Sequence, residues 1–85
     1  MESHELKKLR SEARSLSPRV FVGKEGVSES VIAETIKHLD KAPLIKIRFS
    51  GHKDQKRELA DQLAQNTKSL LVQMIGNNAV LYKLR

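Results

Sequence analysis

The stretch Val22-Gly-Lys-Glu-Gly-Val-Ser-Glu-Ser30 spends two of the chain's four glycines three residues apart, with a lysine between them and a serine two residues beyond the second. Residues without a Cβ let a ligand approach the backbone closely, and the free N–H groups of a helix N-terminus add positive potential, so Gly23, Lys24, Glu25 and Gly26 could together cradle a phosphate. A strand-to-helix turn that needs positive φ would use the same two glycines. A bare G-x-x-G is a weak motif and its surroundings have to decide between these readings.

Other chemistry finds little support. The chain contains neither G-x-x-x-x-G-K-[ST] nor G-x-G-x-x-G, which removes the nucleotide and dinucleotide loops. There is no cysteine, and His4, His38 and His52 form neither an H-x-x-x-H nor an H-E-x-x-H pair, so no metal site is expected. Glu29, Glu34 and Asp40 read as solvated helix positions, Glu29 being favoured near a positive helix end. With no nucleophile, metal or acid–base constellation, the expectation is a protein that is not an enzyme and needs no cofactor.

The elements around the loop follow from apolar spacing. Leu6, Leu9, Ala13 and Leu16 recur at helical intervals from Ser3 onward, Lys7, Arg10 and Arg14 share a flank of that helix, and Pro18 ends it. Arg19–Val22 has the character of a short buried strand, which delivers the chain into the glycine loop. Ser28 is a good N-cap, Val27 and Ile32 form a hydrophobic staple, and the second helix runs to about Lys41 with Val31, Ile32, Ile36 and Leu39 facing the core. After Pro43, the segment Leu44–Phe49 alternates, placing Ile45, Ile47 and Phe49 on one side and Lys46 and Arg48 on the other. A third helix is expected from about Asp54 to Asn66, opened by Lys53, Lys56 and Arg57, packed through Leu59, Ala60, Leu63 and Ala64, and closed by Asn66 in the left-handed conformation. Ser69–Ile75 and Ala79–Leu84 then form a hairpin about Gly76-Asn77-Asn78. The order is α-β-α-β-α-β-β, an α/β chain of mixed sheet packed by helices, and 85 residues suit one domain spanning 1–85.

Composition narrows the partner. With 39% hydrophobic and 31% charged residues the chain reads as globular, and no apolar run approaches the ~20 residues of a membrane span. MESHELKK has no apolar signal region, and with no cysteine a cytoplasmic location is expected. The net charge is +6, of which residues 43–85 carry +5, and such an excess attracts polyanions. Phe21, Phe49 and Tyr82 are the only aromatics. Both phenylalanines lie among aliphatics where core packing is expected, so recognition of a nucleic acid would lean on backbone phosphates with base stacking minor. Lys24, the flank Lys7, Arg10 and Arg14, and the cluster Lys53, Lys56 and Arg57 are the candidate phosphate contacts, and Lys46 and Arg48 depend on whether a helix covers their side of the sheet.

The run SLSPRVFVGKEGVSESVIAETIKHLDKAPLIKIRF, together with VQMIGNNAVLYK, resembles the CRM domain (chloroplast RNA splicing and ribosome maturation) in its stand-alone prokaryotic YhbY-like form. The likeness covers nearly the whole chain and is most specific in the P-x-V-x-V-G-x-x-G pattern, the LIK strand and the Q-x-I-G…LY hairpin. It implies a four-stranded mixed sheet, similar to the C-terminal domain of a bacterial translation initiation factor, and a GxxG loop, Gly23-Lys24-Glu25-Gly26 here, likened to the backbone clamp of KH domains. It also implies RNA binding, in stand-alone members with precursors of the large ribosomal subunit and in plant relatives with group II introns. Two positions depart from the pattern: Glu25 replaces a more usual neutral residue, and Lys68 stands where many members have glycine. The expected partner is RNA, as large-subunit rRNA or pre-ribosomal particles, bound by a monomer without membrane attachment. An RNA chaperone in splicing or translation and a protein-interaction domain are the competing readings.

Overall fold

The structure, a computed structural model, describes residues 3–51 and 54–83. The elements are α1 (Ser3–Arg14), β1 (Val20–Val22), α2 (Glu29–Lys41), β2 (Leu44–Phe49), α3 (Lys56–Asn66), β3 (Leu70–Ile75) and β4 (Asn78–Tyr82), in the expected α-β-α-β-α-β-β order. The four strands form one mixed sheet in the order β1-β2-β4-β3. β1 runs parallel to β2, while β4 is antiparallel to both β2 and β3.

The strand pattern sorts side chains onto two covered faces. Val20 and Val22 of β1, Ile45, Ile47 and Phe49 of β2, and Ala79 and Leu81 of β4 pack against Leu39 of α2 and Ala60, Leu63 and Ala64 of α3. On the other face Val72 and Val80 meet Ala13 of α1, with Leu6, Leu9, Leu44, Leu70, Ile75 and Tyr82 around them. The larger core is the principal energetic term, since each fully buried leucine or isoleucine contributes about 1.5–3 kcal/mol. α2 adds a residue absent from its expected apolar face: Thr35 is fully buried. It is accommodated because its hydroxyl donates to the Val31 carbonyl at 2.7 Å, leaving no polar atom orphaned.

Element ends depart from expectation in α1, in α3 and in the hairpin. α1 stops at Arg14, two residues before Leu16, where the amides of Ser15 and Leu16 switch to i−3 bonds on Glu12 and Ala13 and tighten the last turn. α3 begins at Lys56, after the uncapped Gln55, and Asn66 is its last helical residue. The left-handed residue is Lys68, with φ 53°. Its amide donates to the Gln65 carbonyl at 3.3 Å and that of Ser69 to Ala64 at 2.9 Å, the paired bonds of a Schellman motif. In the hairpin, Asn78 belongs to β4 and pairs with Ile75, leaving a two-residue turn of Gly76 and Asn77. Gly76 has φ 56° and Asn77 has no positive φ, the pattern of a II′ turn that suits strand twist. A bulge in β3 sets Val72 as the extra residue between the pairs Leu71–Leu81 and Gln73–Val80.

A lysine held at positive φ carries the Cβ clash that glycine lacks. Lys68→Gly is therefore expected to stabilise the fold by about 0.5–1 kcal/mol, raising the melting temperature by roughly 2–8 °C, measured by thermal circular dichroism.

Candidate nucleic-acid interface

Parallel pairing of β1 with β2 brings the loop after each strand to the same end of the sheet. The Ser50 amide donates to the Val22 carbonyl at 2.9 Å, and the Phe49 amide to Asn77 at 2.7 Å, so the β3–β4 turn lies there too. The first turn of α3 is fastened to that turn by Lys56, whose Nζ donates to the Gly76 carbonyl at 2.8 Å and to Asn77 Oδ1 at 3.3 Å.

Within the first loop the two glycines have different reasons to be there. Gly23 to Gly26 is a β-turn closed by the Gly26 amide on the Gly23 carbonyl at 3.0 Å. Gly26 is buried with φ 74°, a left-handed conformation that favours glycine, while an added Cβ would make only an ordinary contact, 3.7 Å from Leu59 Cδ2 of α3. Gly23 has no positive φ and nothing within 4 Å of an added Cβ. Neither conformation nor packing requires glycine at 23, and what its missing side chain leaves is open space beside Lys24 and Glu25, both exposed. Ser28 then caps α2, its Oγ accepting from the Val31 amide at 3.3 Å while its carbonyl accepts from Ile32 at 3.0 Å. The amides of Glu29 and Ser30 belong to the helix end that has no intrahelical acceptor, and Ser28 and Ser30 line one open concavity with Phe21 and Gly23–Gly26.

The family model for the CRS1 / YhbY (CRM) domain matches residues 1–83. The chain is a CRM-domain protein. It is 40% identical over 76 residues, 88% of this chain and 79% of the relative, to a Bacillus subtilis protein named probable RNA-binding protein YqeI. It is 35% identical over 78 residues, 91% and 75% of the two chains, to probable RNA-binding protein PA4753 of Pseudomonas aeruginosa. The solution structure of hypothetical protein SAV1595 from Staphylococcus aureus superposes with a TM-score of 0.88 at 34% identity, covering all of this chain and 90% of that one. The α/β architecture expected of the CRM domain is thus the one observed.

The candidate contacts of this CRM domain do not form one cluster. Lys24 is exposed at the loop tip. Lys56 and Arg57 arrive at the same end of the sheet but are already engaged, Lys56 by the hairpin turn and Arg57 by Asp61, 3.5 Å away one turn along α3. Lys53 and His52 lie outside the described residues. Lys7, Arg10 and Arg14 are exposed on α1, in the layer on the far side of the sheet from α2 and α3. On that side of the sheet Lys46 is only 7% exposed, whereas Arg48 is exposed. One residue escaped the sequence reading, and it lies beside Arg48, which that reading leaves conditional. Phe21 is 63% exposed instead of packed in the core, and Arg48 is its register partner on β2. The alternation Val20-Phe21-Val22 contained the signal, because two valines buried on one face force the residue between them onto the other.

The two α3 cations are expected to separate by stability. Lys56→Ala should cost about 0.5–1 kcal/mol by releasing the hairpin turn, whereas Arg57→Ala should cost no more than about 0.5 kcal/mol, both read from urea unfolding midpoints at constant slope.

Proposed function

We propose that this CRM-domain protein is a non-catalytic, single-domain RNA-binding protein that seats an RNA backbone phosphate at Gly23–Gly26 and acts, as a cytoplasmic monomer, in assembly of the large ribosomal subunit. The observation that carries the reading is Gly23: a glycine that neither φ nor packing requires, placed between a strand end and the N-terminus of α2 with Lys24 exposed beside it. A phosphate there would gain the positive helix end, close backbone approach and a mobile ammonium together. The names of the relatives, RNA-binding proteins in Bacillus subtilis, Pseudomonas aeruginosa and Haemophilus influenzae, support the same ligand. The large subunit enters through the resemblance to stand-alone family members, and large-subunit rRNA or a pre-ribosomal particle is the partner it implies. Among the described residues no group of three His, Cys, Asp or Glu side chains could hold a metal ion, and no helix is long and apolar enough to cross a membrane.

Crosslinking of the tagged protein in cells, followed by sequencing of the bound RNA, is expected to enrich large-subunit rRNA, whereas enrichment of intron RNA would move the protein to splicing. In vitro, Gly23→Asp should weaken binding of a single-stranded RNA of about 12 nucleotides at least ~10-fold with an unchanged melting temperature, because the site is open and the backbone unstrained. Gly26→Asp is the poorer probe, since its positive φ couples binding to folding. Lys24→Ala should reduce the slope of log K against log salt by about 0.7, one neutralised phosphate on a single strand. Lys83→Ala, which removes an equal charge at the opposite end of the sheet, is the control, and the phosphate seat is wrong if it weakens binding as much as Lys24→Ala does.

A further inference from the structure

Phe21 is the one large hydrophobic residue exposed among those described, with 63% of its surface in water. It occupies the middle of edge strand β1 between Val20 and Val22, both fully buried, so the backbone beneath the ring is anchored from the opposite face. α1 packs on β2 and β3 and includes no β1 residue in its apolar cluster, which leaves this corner of the sheet uncovered. Arg48, also exposed, is the register neighbour of Phe21 on β2, and strands about 4.8 Å apart put a guanidinium within reach of the ring. On the other side, Phe21 lines the same concavity as Gly23, Lys24 and Gly26.

We propose that Phe21 is a stacking platform for one unpaired RNA base, the base of a nucleotide whose backbone lies at the Gly23–Gly26 loop, with Arg48 as the cation beside it. The proposal rests on the RNA-binding reading of that loop. An exposed aromatic ring would also suit a protein partner, but its neighbours favour nucleic acid: Lys24 and Arg48 flank it, the loop beside it is shaped for phosphate, and the chain carries a net charge of +6. Stacking needs only the π-face of a base, so the platform would select single-stranded over paired RNA without selecting a sequence. The domain would then distinguish unfolded from folded rRNA segments, a discrimination that phosphate contacts alone do not provide.

The test uses fluorescence anisotropy with two probes, a single-stranded RNA of about 12 nucleotides and a fully paired duplex of the same length. Phe21→Ala is expected to weaken single-strand binding about 5- to 100-fold and duplex binding less than about 2-fold, with the salt slope unchanged. Phe21→Trp should keep single-strand affinity. Because the chain has no other tryptophan, its fluorescence should also be quenched as bases stack on the new indole. Thermal unfolding of both variants should match the parent, since the ring is mostly in water. Wild-type single-strand affinity in Phe21→Ala, with Lys24→Ala still impaired, would overturn the platform alone and hand the ring to a protein contact. Tryptophan emission unchanged at saturating single-stranded RNA would do the same, whereas failure of the parent protein to bind either probe would overturn both this proposal and the phosphate seat.

Discussion

Strand β2 is the constraint on which the rest of the structure depends. It is hydrogen-bonded on both edges, by β1 and β4, and buried on both faces, with Ile45, Lys46 and Ile47 all inside. A strand so enclosed has one tolerable register, because a slip by one residue would exchange the apolar set with Lys46 and Arg48. The fixed register carries the loops with it. Val22 is set opposite Phe49 and Arg48 opposite Asn78, so the glycine loop, the start of α3 and the hairpin turn are delivered to one end of the sheet.

The two faces are covered unequally, and the candidate interface lies where coverage fails. α2 and α3 span the face that carries Ile45, Ile47 and Phe49. α1, 12 residues long, protects only the strands under Leu6, Leu9 and Ala13. Lys46 is submerged there, whereas Arg48, two residues along the same strand, is exposed with Phe21 beside it. Leaving a phenylalanine in water forgoes about 1.5–3 kcal/mol of burial, a cost that folding does not recover and ligand binding can. The buried amide oxygens of Gln73 and Asn78 have no hydrogen-bond partner among the described residues; Asn78 belongs to the row of Phe21 and Arg48, while Gln73 sits at the β3 bulge.

The basic side chains illustrate why a count of charges does not locate a binding surface. Lys56 is a structural clamp between α3 and the hairpin, and Arg57 is paired along its own helix. Lys83 pairs with Asp40 at 3.3 Å near the other end of β4. Lys24 has no such engagement among the described residues, and it projects from a turn whose glycines are separable into one that serves the backbone and one that serves open space. An ammonium without a fixed partner retains its hydration and rotamer freedom until a phosphate arrives, which suits a contact that neutralises charge without reading sequence.

What the sequence determined by itself was local: periodicity placed every helix and strand, Ser28 and Val27 marked the start of α2, Pro18 and Pro43 marked the breaks, and Gly23-Lys24-Glu25-Gly26 stood out between a strand and a helix. These features depend on neighbours within about four residues, so spacing and residue type suffice to read them. Two things were decided only by tertiary structure. Strand order and the choice of faces depend on pairings between residues more than 20 apart, which put α1 across the sheet from α2 and α3 and so separated Lys7, Arg10 and Arg14 from the loop's helical layer. The left-handed end of α3, at Lys68 instead of Asn66, is by contrast a local feature that residue type alone did not reveal, since Thr67 stayed as the cap with its hydroxyl donating to Leu63 at 2.8 Å. The alternation Val20-Phe21-Val22 turned Phe21 to the face opposite the valines, but that this face is left open there was set by how far α1 reaches, and coverage of one element by another is a property of the packed chain.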